Sequence, residues 1–515
     1  MPLGARACLS DASSGALVAA DGTIDWWCPG RFDAPAVLSR LVDPAGGALG
    51  TAPAQPGGAA PGPGAQAYLA GTNVVRTVHG ATEAWLEVVD FMPWSGPGTA
   101  APGRIVRLLT ARRGPVVVAV DVAPGAGYGP ARDVSAWSEG VAFDRTVVRT
   151  GVAMRPLASG TAGARHPSCR GLWQGQLALD AGQSAVVTVD REGPAPVVAL
   201  SPDGAHRELE RTVAAWRSWL AGAEVDGPWA PAVARSLLAV RGQSVGGAPA
   251  AAATTSLPRV PGGERQCDGR VARTRDAAAA ALAWARVGLA EDSEAAERWL
   301  RAALAADGGN GAGKDRPSTV APAGGAAPAA GDASEPEAWG PSAVLALDGG
   351  PAPELTELGL AGWRGSRPVV VGAPAGRLDL DLTGDFWAAV TAAAGPAGAS
   401  PLPGAGPLTG QWPALAAWAD WLAANWSRPD VGVWGSGAAG TPAGAGPAPR
   451  CGAASRVQVW RALDRATRLA RAANPLDLSA IPWQQAAVAT RRWLEGRAAP
   501  DGSLAGGGGG PRPGA

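Results

Sequence analysis

Lysine is almost missing from this chain: Lys314 is the only one among 44 basic residues. Phenylalanine (4), tyrosine (2) and histidine (3) are also scarce, whereas tryptophan reaches 22. The scarce residues include several with AT-rich codons, so the bias reads as the mark of a GC-rich gene and not of a fold. His79, His166 and His206 lie far apart and none forms H-E-x-x-H, which argues against metal chemistry through histidine. The cysteines Cys8, Cys28, Cys169, Cys267 and Cys451 are scattered without a C-x-x-C pair, so neither a disulfide framework nor a zinc site is expected. Neither sign of charge is in excess, with 44 acidic residues against 44 basic ones. That balance argues against a nucleic-acid footprint or a polybasic membrane patch. No apolar run reaches the roughly 18 residues of a membrane span, and the start MPLGARACLSDASSG lacks a signal-peptide core. The expectation is a soluble cytoplasmic protein that needs no cofactor and binds neither nucleic acid nor membrane, with its oligomeric state open.

What is present is a chain of 515 residues, 46% hydrophobic and 17% charged, long enough for two to four domains with a sizeable core. The first two hundred residues hold short runs such as VVRTV, AWLEVVDFM, RIVRLL, PVVVAVDVAP and SAVVTVD between Gly, Pro and Asp clusters. Such spacing predicts a β-sandwich over 1–205. From about Ala205 the period changes: Leu209, Val213, Trp216 and Leu220 follow helical spacing. A linker helix is therefore expected over 206–225. Helices are then predicted at Asp276–Leu289, Ser293–Ala305, Phe386–Ala394, Leu415–Trp426, Val457–Ala473 and Gln484–Leu494. Successive helical hairpins without strands suggest an α/α arrangement over 226–504. Residues 307–340 read as a disordered low-complexity insert and 505–515 as a flexible tail.

Some motifs carry little. GGNGAGK at Gly308–Lys314 approaches a phosphate-binding loop, but Asp315 stands where Ser or Thr would hold magnesium. The tryptophans at 412, 418, 421 and 426 read as core residues of a helix in preference to a sugar-stacking platform. The acidic run Glu291–Glu294 reads as a helix start favoured by the dipole.

Other motifs carry more. GALVAADGTIDWWCPGRFDAPAVLSRLVDPAGGALG, from Gly15 to Gly50, is followed by TNVVRT at Thr72, VVDFMPW at Val88, RIVRLL at Arg104 and TTSLP at Thr254. ELTELGLAGWRGSRPVVVG then runs from Glu354 and WRALDRATRLA from Trp460. In this order the motifs resemble bacterial glycoside hydrolase family 15, the glucoamylase and trehalase family, over nearly the whole chain. The resemblance implies a β-sandwich followed by an α/α toroid of the six-hairpin glycosidase type. It also implies inverting hydrolysis of a terminal α-glucosidic bond, in maltooligosaccharides or in trehalose. In the sandwich motif, Asp21-Gly22 should make a tight turn, Ile24 and Trp26 should both point inward, and Arg31 should pair with Asp33. These are expected to be scaffold residues facing the toroid.

The segment from Glu264 to Leu282 is similar to a family pattern close to E-R-N-W-D-Y-R-Y-x-W-x-R-D. Glu264, Arg265, Asp268, Arg270, Arg275 and Asp276 are kept, while Cys267, Gly269 and Arg273 replace aromatic residues. By this resemblance Arg275 and Asp276 would hold glucose hydroxyls in the innermost subsite, with Asp268 and Arg270 also substrate-binding. A guanidinium fork beside a carboxylate suits vicinal diols; the alternative is an ion pair at a helix N-terminus. Loss of the aromatic walls should weaken the grip. RLDLDLTGDFW from Arg377 corresponds to Q-x-Q-x-D-x-Y-G-E, with Asp381 and Gly384 matching, Thr383 for tyrosine and Asp385 for glutamate. Trp363, Arg364 and Arg367 would line the pocket mouth, and Trp434 would contact substrate.

An inverting glycosidase needs one carboxyl to protonate the leaving oxygen and another to activate water. The family carries the acid in a motif close to G-I-W-E-x-R. Here VGVWGSGAAG puts Gly435 at that position, and no Asp or Glu occurs between Asp430 and Asp464. Asp430 is expected to be a poor substitute. The family base lies in a later segment, and this chain reaches only RRWLEGRAAPDGSL before its glycine tail. The expectation is an incomplete toroid without its base segment and a catalytically impaired chain. A truncated gene product, a carbohydrate-binding pseudoenzyme and a remainder encoded elsewhere stay open.

Overall fold

The computed structural model describes residues 3–54, 63–81, 84–99, 103–156, 171–191, 199–258, 261–263, 266–311, 342–373, 379–392, 411–430, 432, 451–475, 477–499 and 504. The N-terminal region is built from strands and the C-terminal region from helices. One sheet runs in the order Arg6–Ser10, Gly15–Ala19, Thr23–Trp27, Ala48–Pro53, Val116–Ala123, Trp173–Leu179, Arg155–Pro156. The other runs Val134–Trp137, Gly140–Phe143, Thr146–Arg149, Ser184–Arg191, Arg104–Arg113, Ala84–Phe91, Val75–Ala81, Ala65–Tyr68. Neighbours in both sheets are antiparallel. Leu9, Val18, Leu49 and Val120 from the first sheet meet Leu86, Val88, Leu109 and Val189 from the second in one apolar core. Burying each such side chain contributes about 1.5–3 kcal/mol.

Three of the motifs meet at a single buried ion pair. The Arg107 guanidinium, fully buried, donates from Nε and Nη2 to the Asp90 carboxylate at 2.6 and 3.0 Å. Its Nη1 donates to the Gly22 carbonyl at 2.6 Å and to Thr51 Oγ1 at 2.9 Å. Gly22 sits at φ +83 in the turn that follows Asp21, and a Cβ there would fall 2.2 Å from the Thr51 carbonyl. Glycine is thus demanded both by backbone angle and by space.

The expectation that Ile24 and Trp26 point the same way needs correction. The pairing of Gly15–Ala19 with Thr23–Trp27 shifts register between Leu17 and Val18. Such an irregularity breaks strict alternation. Ile24 and Trp27 therefore enter the core between the sheets, while Trp26 joins a second cluster with Cys28, Leu41, Tyr128, Trp363 and Val369. Trp26 Nε1 donates to the Ala253 carbonyl at 2.8 Å. This second cluster joins the β-rich region to the segments that precede the later helices. Arg31 pairs with Asp33 through two hydrogen bonds of 2.8 and 2.7 Å.

The first helix, α1 (Pro202–Ala221), begins just ahead of the expected boundary at 205. Ser201 caps it by accepting the Gly204 N–H, and Pro202 occupies the first turn where no partner for its nitrogen is needed. Ala205, Leu209 and Val213 lie against Val74 and against Phe91, Val106 and Leu108 of the second sheet. Trp216 and Trp219 instead enter the helical core, with Trp216 stacked on Trp94 at 3.8 Å. One helix therefore serves two cores. A helix that was not expected, α2 (Ala230–Gly242), follows, with Pro231 in its first turn.

The remaining α-helices among the described residues are α3 (Thr274–Arg286), α4 (Ala290–Gly311), α5 (Thr383–Val390), α6 (Trp412–Asn425), α7 (Ala453–Ala473) and α8 (Ala480–Glu495). α3 packs on α4, and α7 on α8. α4 runs through Gly311, beyond the expected start of the insert at 307; most of that insert lies outside the described residues. Alanine-rich faces (Ala277, Ala278, Ala281, Ala462, Ala466) let the helices approach closely, and Trp284, Trp299, Trp387, Trp418 and Trp483 fill the remaining volume. Trp418 meets Phe386 edge to face at 5.2 Å, and Trp412, Trp421 and Trp426 line the same core. The helix-start run at 291–294 places Asp292 against Arg241 and against Trp219 Nε1, tying α4 to α1 and α2. No described helix is long and apolar enough to cross a membrane.

Candidate functional site

The start of α3 sets the site. Ala272–Arg273 pairs with Val344–Leu345 as a short ladder, and the chain then turns into the helix at Thr274. Arg275 and Asp276 thereby stand in the first turn, where the dipole favours the carboxylate. Both side chains stay partly open, at 22% and 38% exposure. Arg275 Nη1 donates to Asp381 Oδ2 at 2.6 Å, while its Nε lies 3.7 Å from Asp276 Oδ1. The dominant partner of Arg275 is thus Asp381, 106 residues away, and not its neighbour. Burial pulls the Arg275 pKa down, but Asp381 outweighs it and holds the guanidinium above its ordinary value.

Asp381 lies in a short 3-10 turn, Leu380–Leu382, that leads into α5. Its Oδ1 is buried and finds no donor among the described residues. The Asp379 carboxyl stands beside it and accepts the Asp381 N–H at 3.3 Å. Burial, followed by the contact with Asp381, pushes Asp379 up to about 8. Asp385, in the first turn of α5, is tied to Arg461 Nη1 at 2.6 Å and Gln458 Nε2 at 3.1 Å on α7. Gly384 permits this approach, since a Cβ there would meet Gln458 Oε1 at 2.3 Å.

Asp430 is closed off. Its side chain is fully buried and receives Ser455 Oγ at 2.7 Å, the Leu380 and Gly432 N–H groups at 3.2 Å each, and Arg456 Nη1 at 3.3 Å. Each carboxylate oxygen is engaged within the protein, so Asp430 serves to hold the 3-10 turn against α7. Trp434 and Gly435 lie outside the described residues, as do Glu264 and Arg265.

Asp268 and Arg270 are present as a pair, facing away from open surface. Arg270 donates from Nε and Nη2 to Asp268 at 2.8 and 2.7 Å, and from Nη1 to the Ala34 carbonyl at 3.0 Å. Asp268 Oδ2 also accepts the Gly372 N–H at 3.1 Å. The guanidinium sits over Trp26 and Tyr128, 5.8 and 5.5 Å from their ring centres. Burial lowers the Arg270 pKa, yet the Asp268 carboxylate more than reverses this. The pair acts as a strut between the β-rich and helical regions. Replacing Asp268 by alanine is expected to cost about 3–5 kcal/mol, because it strands a buried guanidinium; urea unfolding of the variant beside wild type measures it.

Trp363 is buried in the cluster with Trp26 and Tyr128, and the exposed Arg364 covers its ring at 4.6 Å. Around them, Ser256 Oγ receives the Val370 N–H at 2.7 Å, so the TTSLP and WRGSRPVVVG stretches are pinned to one another. Gly269 lies so close to Ala252 that a Cβ would come within 2.4 Å. Among the described residues no group of three His, Cys, Asp or Glu side chains can hold a metal ion. Asp379 escaped the reading of the sequence; its one signal was a carboxylate two residues from another in RLDLDLTGD.

Residues 1–146 match the family model described as "Trehalase-like, N-terminal", and residues 349–503 match "Glycosyl hydrolases family 15". A trehalase of Mycolicibacterium smegmatis is 28% identical over 315 residues, covering 56% of this chain and 45% of that protein. A trehalase of Mycobacterium tuberculosis is 28% identical over 329 residues, covering 57% and 45%. One from Thermoplasma acidophilum is 27% identical over 288 residues, covering 53% and 46%. The chain spans about half the length of the curated relatives it matches.

Proposed function

For a chain that joins a trehalase-like N-terminal domain to a glycosyl hydrolase family 15 domain, we propose that it binds a terminal α-glucoside at the start of α3. Trehalose is the first candidate, because the matched relatives are named trehalases; maltooligosaccharides are the second. The ancestral reaction is inverting hydrolysis of the α-glucosidic bond. The observation that carries the proposal is the half-open fork of Arg275 and Asp276, braced from behind by Asp381. A fixed guanidinium offers donors and the adjacent carboxylate offers acceptors, which together suit the vicinal hydroxyls of a pyranose. Arg364 at the surface beside Trp363 supports a role at the rim. Asp268 and Arg270 would act on the site through the frame. The hairpins α3–α4 and α7–α8 support an α/α toroid as the wider architecture.

Turnover by this chain is expected to be weak, since position 435 offers glycine where the resemblance places the acid. The test is calorimetric titration of trehalose and maltose into the protein and its Arg275→Ala and Asp276→Ala variants. Loss of measurable binding in both variants, with binding in wild type, is the expected result. Equal affinity in all three would overturn the proposal.

A further inference from the structure

Arg275 and Asp276 stand at the end of a paired run of chain. Residues 250–256 and 267–273 lie antiparallel, with bridges at Ala250 and Ala272 and at Thr255 and Asp268. The Ala251 N–H donates to the Val271 carbonyl at 2.9 Å, the Ala252 N–H to Gly269 at 2.6 Å, and the Ser256 N–H to Cys267 at 2.9 Å. The second arm then pairs through Ala272–Arg273 with Val344–Leu345, and the Thr274 N–H donates to the Ala343 carbonyl at 3.1 Å. Arg275 is the next residue. Its backbone is therefore placed by whatever holds the two arms.

One tryptophan from the β-rich region touches both. Trp26 Nε1 donates to the Ala253 carbonyl on the first arm at 2.8 Å. Its ring lies 5.8 Å from the guanidinium of Arg270 on the second. Arg270 is forked on Asp268, and its Nη1 reaches back to the Ala34 carbonyl at 3.0 Å. A local feature of the strand aims the tryptophan. Val18 pairs with Ile24 and Leu17 with Trp26, so Asp25 is an extra residue in Thr23–Trp27. Such an insertion re-aims the side chain that follows it. The extra residue is itself held, since Asp25 Oδ2 accepts from Arg6 Nη2 at 2.6 Å and from Nε at 3.0 Å. Trp26 is thereby turned toward the arms, while Trp27 stays in the core between the sheets.

We infer that Trp26 is a positioning residue of the sugar site: it clasps the two arms together and so fixes where the first turn of α3 presents Arg275 and Asp276. Its link to sugar binding rests on the reading of those two residues as the clamp. The β-rich region on this account sets the affinity of a site whose sugar-contacting residues all lie in the helical region.

The experiment uses the full chain with Trp26→Phe, and with Trp27→Phe as the matched control. Both tryptophans are fully buried, and each change removes the same volume and the same N–H. Only Trp26 meets the arms. The first measurement is amide hydrogen exchange without sugar. Exchange at Ala251, Ala252 and Thr274 should quicken about tenfold in W26F and stay within about twofold of wild type in W27F. Equal quickening in the two variants, or none in W26F, would overturn the clasp, whether or not any sugar binds. The second measurement is trehalose titration. Affinity should fall about tenfold in W26F, the equivalent of one hydrogen bond, and hold in W27F. Quickened exchange in W26F with wild-type affinity would overturn the positioning role. If W26F does not fold, Arg270→Lys takes its place, because it keeps a cation beside Asp268 but not the planar fork; the same two changes are expected. Absence of trehalose binding by wild type counts against the clamp, and the positioning role falls with it, while exchange still decides the clasp.

Discussion

The purified protein is expected to release glucose from trehalose or maltose about 10²–10⁴-fold more slowly than a family member that keeps its general acid. Protonating the leaving oxygen needs a carboxyl close to it, and the position where the resemblance places the acid carries Gly435, with no Asp or Glu from there to Asp464. The neighbouring carboxyls are committed elsewhere. Asp430 is fully buried and receives four donors, and Asp385 is held by Arg461 and Gln458. Asp379 accepts the Asp381 N–H in the turn that leads into α5. Coupled measurement of glucose over hours, with Asp276→Ala as the control, checks the rate. Brisk release that disappears in the control would contradict this part of the account.

A loss of stability as large as that of Asp268→Ala is expected from Asp430→Ala. Arg456 is fully buried, and the only other described hydrogen bond of its guanidinium goes to the Arg428 carbonyl. Removing the carboxylate leaves a buried guanidinium uncompensated and frees Ser455 and the Leu380 N–H, at an expected cost of about 3–5 kcal/mol. Asp430→Asn keeps an acceptor and should cost less. Urea unfolding of both variants measures the difference. Because Asp430 fixes Leu380, the alanine variant should also disturb Asp381 and weaken sugar binding, which ties the frame to the site.

Much of the fold was legible wherever a periodicity or a turn signal was local. The Asp21-Gly22 turn, the Arg31–Asp33 pair and the helical stripe of α1 each depend on residues close in sequence. What failed depended on a single irregularity or a distant partner. Trp26 changes sides because the strand pairing shifts register at Leu17 and Val18, which no alternation pattern shows. Helix α2 was not among the expected helices, although Pro231 in its first turn is compatible with a helix start. At the site, the adjacency of Arg275 and Asp276 was plain. The partner that fixes Arg275, Asp381, lies far along the chain and was noted only as a motif match. Asp268 and Arg270 carried the same signal as Arg275 and Asp276, and only the structure shows that the first pair is buried beside Trp26 and Tyr128 while the second stays partly open.

A crystal structure of this chain with trehalose tests the central claim most directly. The account predicts a glucose unit at the start of α3, its hydroxyls on the Arg275 guanidinium and the Asp276 carboxylate, with Asp381 still bonded to Arg275. Sugar bound elsewhere, or an unliganded α3 N-terminus at saturating trehalose, would contradict it.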